Sequence, residues 1–236
     1  MYNVLQLAVM PGGSPMALYL KIVLLVAAAF AASCGTVSSS GPNAESEETV
    51  PAAEVEPEPQ GMHTAVFAGG CFWGVEAVFE HVKGVKDVKS GYSGGDARSA
   101  NYELVSNGRT DHAESVKITY DPTKVSYTQL LEIFFTVAHD PTQLDRQGPD
   151  VGRHYRSAIF FANEEQKAAA KGFIDDLTKA GKFAAPIVTE LVPLKKFYNA
   201  ESYHQDYMRK NPDQPYIVQH DRPKVQDLKN RFPELF

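Results

Sequence analysis

Gly69-Gly70-Cys71-Phe72-Trp73-Gly74 is the stretch whose reading decides the fold. Cys71 is one of only 2 cysteines among 236 residues, and Trp73 is the 1 tryptophan. The apolar run Thr64 to Ala68 ahead of it reads as a strand, and Val75, Val78, Phe79 and Val82 behind it share one helical face. A cysteine where a strand turns into a helix has its sulfur near unpaired backbone N–H groups and the positive end of a helix dipole. That setting favours thiolate over thiol, and the thiolate is the nucleophile. Glycines 69 and 70 permit a tight turn and close approach of a ligand to the backbone. The expectation is a reactive thiol presented at a helix start.

Outward from this stretch the chain alternates element types. Gly84 ends the first helix, Val85 to Val88 alternates like a strand, and Gly91-Tyr92-Ser93-Gly94-Gly95 reads as a loop dense in turn formers. Tyr102 to Val105 is a short helical turn, and Glu114 to Tyr120 a polar–apolar strand closed by Asp121-Pro122. Ser126 is placed as N-cap of a helix through Leu130, Leu131, Phe134, Phe135 and Ala138. His139 to Gly152 is a long polar loop, of a kind that often carries function. A strand over Arg156 to Ala162, a helix from Asn163 to about Ala180, a strand over Ile187 to Val192 and a helix over Glu201 to Met208 follow. A Pro- and Asp-rich tail is expected to wrap the surface. This order predicts an α+β, two-layer sandwich: a ferredoxin-like core with a mostly antiparallel sheet, helices on one face, and an appended C-terminal helix and tail. Residues 61–236 need only a single domain.

With 43% hydrophobic and 22% charged residues, the composition is that of a soluble globular protein. The net charge of -6 is unevenly spread. Setting aside Lys21 and the six glutamates of 35–60 from the 23 basic and 29 acidic residues leaves 22 and 23 in 61–236. A nearly neutral body offers no clustered basic face for nucleic acid.

Lys21 and the apolar run Ile22 to Ala32 read as the charged and apolar regions of a signal peptide, too short for the roughly 20 residues a membrane span needs. The run ends in Ala31-Ala32-Ser33-Cys34-Gly35, which resembles the cleavage-and-lipidation box of bacterial lipoproteins, with Ala31 where that box usually has leucine. The resemblance makes Cys34 the acylated first residue of an exported chain, anchored by lipid to a membrane on the periplasmic side of the cell envelope. An ordinary signal peptide cleaved nearby, or a retained anchor, is the alternative. Residues 35–60, rich in Ser, Glu and Pro, read as a disordered acidic tether.

Further motifs follow Gly70-Cys71-Phe72-Trp73-Gly74 in order: Gly91-Tyr92-Ser93-Gly94-Gly95, Tyr102, His112-Ala113-Glu114, His139-Asp140-Pro141-Thr142, Arg146-Gln147-Gly148-Pro149-Asp150-Val151-Gly152, Tyr155-Arg156-Ser157 and Phe197-Tyr198-Asn199-Ala200-Glu201-Ser202-Tyr203-His204-Gln205. The set covers nearly all of 64–210 and resembles the peptide methionine sulfoxide reductase A family. The resemblance implies reduction of methionine-S-sulfoxide, protein-bound and free, with Cys71 attacking the sulfoxide sulfur and ending as sulfenic acid. It implies Glu114 as the acid that protonates the departing oxygen, a role that needs a pKa raised by burial. A solvated strand-end glutamate is the alternative that the residues alone leave open. Tyr102 and Tyr155 are implied to hydrogen-bond the sulfoxide oxygen, Phe72 and Trp73 to wall a pocket for the S-methyl group, and Asp150 to orient the substrate backbone.

The chain departs from the family in two places. Asn211-Pro212-Asp213-Gln214-Pro215-Tyr216 carries no resolving cysteine, so with Cys34 acylated an external thiol (thioredoxin-like, glutaredoxin-like or small) must reduce the sulfenic acid. Arg153-His154 replaces the more usual pair before Tyr155, at the expected pocket entrance. None of the 7 histidines has an H-x-x-x-H spacing, so no metal and no bound cofactor is expected. The expected partners are oxidised proteins or peptides, the thiol reductant and the membrane, with the protein itself a monomer. Two other classes stay open: a Cys–His acyl transferase using His112 or His204 as base, and a non-catalytic lipoprotein binding module with an aromatic pocket.

Overall fold

The computed structural model describes residues 60–236. The signal peptide expected over 1–34, with Cys34, and the tether expected over 35–60, all but its last residue, lie outside them. The elements are β1 (His63–Gly69), α1 (Phe72–Glu80), β2 (Val85–Ser93), α2 (Tyr102–Ser106), β3 (Ala113–Tyr120) and α3 (Tyr127–Ile133), the last widening into a π-type turn over Phe134–Ala138. Then come the two-residue strands β4 (Arg146–Gln147) and β5 (Asp150–Val151), a 3-10 turn Arg153–Tyr155, β6 (Ser157–Phe161) and α4 (Glu164–Lys179). The chain closes with β7 (Glu190–Pro193), β8 (Phe197–Asn199), α5 (Tyr207–Lys210), a second π-type turn Ile217–Asp221 and α6 (Arg222–Arg231).

A 6-stranded sheet in the order β7-β6-β1-β3-β2-β8 organises this α+β fold. β1 is almost wholly apolar because both of its faces are covered. Ala65 and Phe67 enter the main core, whereas Val66 and Ala68 join a smaller cluster with Ala113, Ala158 and Phe160 on the opposite face. β1 runs antiparallel to β3 and β6, and β2 antiparallel to β3 and β8. β6 and β7 are parallel, so the sheet is mixed. The physical reason is the 16-residue helix α4 between them, which carries the chain back along the sheet so that β7 starts at the same end as β6. Residues of α1, α3 and α6, with Phe173, Ile174 and Leu177 of α4, fill the main core on one face.

Local chemistry explains where the elements start. Ser126 caps α3 through a full capping box with Gln129, and Asn163 accepts from the Gln166 N–H at the start of α4.

Three expectations are corrected. Gly91-Tyr92-Ser93 is not loop but the end of β2, paired with Tyr198 and its neighbours on β8, a strand that the sequence reading missed. Glycine serves close approach here: a Cβ on Gly91 would overlap the Phe197 ring and the Tyr198 carbonyl. The helix expected over Glu201 to Met208 is confined to Tyr207–Lys210, because the preceding side chains turn inward to bind other elements. Glu201, for example, accepts from both the Tyr92 hydroxyl and the Tyr102 N–H. Nor does the tail merely wrap the surface. Ile217, Val225, Leu228 and Leu235 are buried, and Lys83 N–H donates to the Leu235 carbonyl at 2.7 Å.

Gly91→Ala should destabilise the chain by about 1–3 kcal/mol, the usual effect of overpacking, with the strain falling on the β2–β8 pairing. Chemical denaturation measures it, and wild-type stability would show that β8 is free to move away.

Candidate active site

Cys71 occupies the last non-helical position before α1, between the tight turn at Gly70 and the first helical residue, Phe72. Gly70 has a φ of 93°, and the side chain of Gln147 packs over it, 2.6 Å from where a Cβ would stand. Gln147 also bridges the N–H and carbonyl of Asp140, so it latches the 140–152 loop beside the cysteine.

Glu114 comes from β3, two strands across from β6. Its Oε2 accepts from the Phe72 N–H at 3.0 Å. The carboxyl is only 2% exposed, which removes the solvated strand-end alternative. Burial raises its pKa from 4.5 to about 8; the negative charges of Asp150 and Asp221 add to the rise, and the Phe72 hydrogen bond opposes it. At neutral pH it holds a proton it can donate.

The expected thiolate is corrected. Cys71 is 8% exposed, and burial pushes its thiol well above the ordinary range, with Glu114 and Asp221 pushing the same way. The helix start contributes one opposing contact, the Trp73 N–H, which is not enough to win. Cys71 therefore rests as a thiol.

Aromatic groups surround this pair. Phe72 is buried, 5.0 Å from the His204 ring and 5.9 Å from Tyr92. Trp73 is half-buried and held on three sides. Its Nε1–H donates to His204 Nδ1 at 3.1 Å, its face stacks on Tyr207 with centroids 3.7 Å apart, and Tyr216 meets it edge-on.

Tyr102 opens α2 and Tyr155 closes the 3-10 turn; both are half-buried, and both feel the charges of Glu114 and Cys71. Burial pushes the Tyr102 hydroxyl up to about 12 and raises Tyr155 as well, so both keep their protons as donors. Asp150, on β5, accepts from the Tyr216 hydroxyl. The unusual pair before Tyr155 has structural partners. Arg153 Nη1 donates to Glu190 at 3.0 Å, and the buried His154 packs under the Tyr155 ring at 4.1 Å.

The fold thus gathers Cys71, Glu114, Tyr102, Tyr155, Phe72, Trp73 and Asp150. The sequence reading assigned no role in the site to Glu201, Tyr207 or Tyr216. Tyr207 carried no local signal, since the helix it opens starts after His204, and Tyr216 sat in a tail read as surface. Among the described residues, neither histidine nominated as a base is hydrogen-bonded to the thiol. The His112 ring is held by Gly95 N–H and the Asp96 carbonyl, and His204 Nδ1 by the indole.

Residues 63–235 match a family model described as peptide methionine sulfoxide reductase. Proteins named peptide methionine sulfoxide reductase MsrA 2 are similar along most of their length. That from Mesorhizobium japonicum is 58% identical over 176 residues, covering 75% of this chain and 90% of its own. That from Synechocystis is 54% identical over 175 residues, covering 74% and 82%. Among solved structures, Mxr1 from Saccharomyces cerevisiae in reduced form aligns with a TM-score of 0.63 at 32% identity, covering 68% of this chain and 92% of that one. Methionine sulfoxide reductase A of Corynebacterium diphtheriae aligns with a TM-score of 0.57 at 36% identity, covering 65% and 77%.

The Glu114 carboxyl titrates at about 8 in the folded chain and near 4.5 when exposed. Between those values the folded state binds the extra proton, so this group makes stability fall as pH rises, by up to about 1.4 kcal/mol per unit. Glu114→Gln should remove that part of the slope, read as melting temperature against pH for both proteins. Identical slopes would mean that Glu114 is ionised in the fold.

Proposed function

The chain belongs to the peptide methionine sulfoxide reductase family, and from that premise we infer that it is an oxidoreductase that returns methionine-S-sulfoxide, in proteins and free, to methionine. The observation that carries this reading is a protonated, buried carboxyl hydrogen-bonded to the first helical residue after the thiol. In this reading Cys71 is the nucleophile and Glu114 the acid. Tyr102 and Tyr155 donate to the sulfoxide oxygen, Trp73 backed by Phe72 walls the methyl pocket, and Asp150 orients the substrate backbone.

The step balances without a cofactor. Cys71 sulfur bonds to the sulfoxide sulfur; the thiol proton and the Glu114 proton both go to the oxygen, which leaves as water. Water then attacks Cys71 sulfur, the sulfur–sulfur bond breaks, methionine departs, and one proton returns to Glu114. The net change is thiol plus sulfoxide to sulfenic acid plus sulfide. Cys71 is the free cysteine among the described residues. One external thiol therefore displaces water from the sulfenic acid to give a mixed disulfide, and a second releases Cys71 as thiol. The buried thiol suits this chemistry because its proton is consumed in the first step.

The remaining assignments form part of the same proposal. The four central strands β6-β1-β3-β2, crossed by α1 and α3, are read as a ferredoxin-like core. Residues 1–34 act as a signal peptide and 35–60 as a tether for the single catalytic domain 61–236, a monomer. Lipid on Cys34 holds the protein at the periplasmic side of a membrane, where it repairs oxidised proteins or peptides. The Ala31-Ala32-Ser33-Cys34-Gly35 pattern supports the anchor. Mass analysis of the mature N-terminus should find acylated Cys34, and a free N-terminus at another residue would overturn it.

Mixed with one equivalent of methionine-S-sulfoxide and no reductant, the protein should gain one oxygen on Cys71, detected by intact mass and absent in Cys71→Ser. No gain would defeat the reductase reading. Glu114→Gln should slow that gain by about 10²–10⁴-fold, the usual contribution of a general acid, and the wild-type rate should decline above a pH of about 8 as Glu114 ionises. Loss of the oxygen gain in His112→Ala or His204→Ala with Glu114→Gln unaffected would take the acid role from Glu114, and acyl transfer is favoured only if Cys71 gains no oxygen at all.

A further inference from the structure

The first turn of α1 rests on an ion pair, its carboxylate buried and its ammonium partly exposed, that the reaction above does not use. Asp221, at the end of the second π-type turn, is 0% exposed, and its Oδ1 accepts from Lys224 Nζ at 3.3 Å. Both groups press on Gly74, three residues after Cys71. A Cβ there would overlap Asp221 Oδ1 and stand 2.9 Å from Lys224 Nζ. Glycine at 74 therefore makes room for the pair against the helix. The other carboxylate oxygen, Asp221 Oδ2, is buried with no hydrogen-bond partner. A charge left so poorly satisfied is expensive, and replacing such a pair with apolar groups is often neutral or stabilising. Fold stability alone gives little reason for it here.

We propose that Lys224 and Asp221, a cation and an anion packed together against Gly74, are an opposed pair of positioning residues for Cys71, acting through the first turn of α1. The inference rests on Cys71 being the nucleophile. Several groups on the elements around the sulfur interact with it electrostatically: Glu114 on β3, Tyr102 on α2, Tyr155 on the 3-10 turn, and Tyr216, Asp221 and Lys224 on the C-terminal segment. Of the charged groups that shift the thiol, Glu114 and Asp221 raise its pKa and Lys224 lowers it. Asp221 is itself raised by burial, with Lys224 opposing the rise, Asp150 adding to it and His220 opposing it. When Asp221 takes a proton its opposition ends, and the ammonium acts on the sulfur alone.

The test is the pH profile of Cys71 alkylation by iodoacetamide in the full chain, followed on the Cys71 peptide by mass spectrometry to separate it from Cys34. No sulfoxide is present, so the result stands or falls independently of the reductase reading. Lys224→Met should slow alkylation at fixed pH about threefold or more and move the profile to higher pH, while Lys224→Arg stays near wild type. Asp221→Asn should move the profile to lower pH, and the double variant should lie between the two. A change of packing alone would not give shifts of opposite sign that offset one another. An unchanged profile in Lys224→Met, or shifts of the same sign in both single variants, would overturn the proposal. Should Asp221→Asn fail to fold, the contrast between Lys224→Met and Lys224→Arg decides.

Discussion

The Phe72 N–H reaches Glu114 Oε2 across 3.0 Å in a place that water hardly enters, and this contact ties the helix that follows the thiol to the strand that carries the acid. Both partners need it. A helix start leaves backbone N–H groups without acceptors, and a buried carboxyl without a donor would be costly. The bond holds Glu114 beside Cys71 without forcing it to ionise, since burial outweighs it. Around this link, the sheet brings β3 next to β1, and the turn at Gly70 delivers Cys71 to the same place.

The electrostatics of the site are the reverse of what a helix-start cysteine suggests in isolation. A dipole and a backbone N–H favour the thiolate by modest amounts near the first turn, whereas full burial acts on the whole charge. With Glu114 and Asp221 also raising the thiol and only Lys224 opposing among the charged groups, desolvation wins. A thiol and a carboxylic acid side by side suit a reaction that takes a proton from each and returns one.

How much of this was legible in the sequence follows from the range of the interactions. Strand β1, helix α1 and the caps at Ser126 and Asn163 are set by local patterns, and they form as expected. β8 and the short α5 are not local. Phe197–Asn199 becomes a strand because β2 offers it an edge, and 201–206 stays out of a helix because Glu201 is bound by Tyr92 and Tyr102. The parallel β7 depends on where α4 delivers the chain. Within the site, Cys71 could be singled out from its glycines and neighbouring tryptophan. Glu114 could not be told from a solvated glutamate until its burial was known, and the roles of Tyr207 and Asp221 exist only through distant packing against Trp73 and Gly74.

The central claim is that Glu114 carries a proton at neutral pH because the fold withholds water from it. The most direct measurement is an NMR titration of the Glu114 side-chain carboxyl carbon, assigned by its disappearance in Glu114→Gln. The account predicts a protonated signal at neutral pH with a midpoint of about 8. A midpoint in the ordinary carboxylate range, near 4.5, would contradict it.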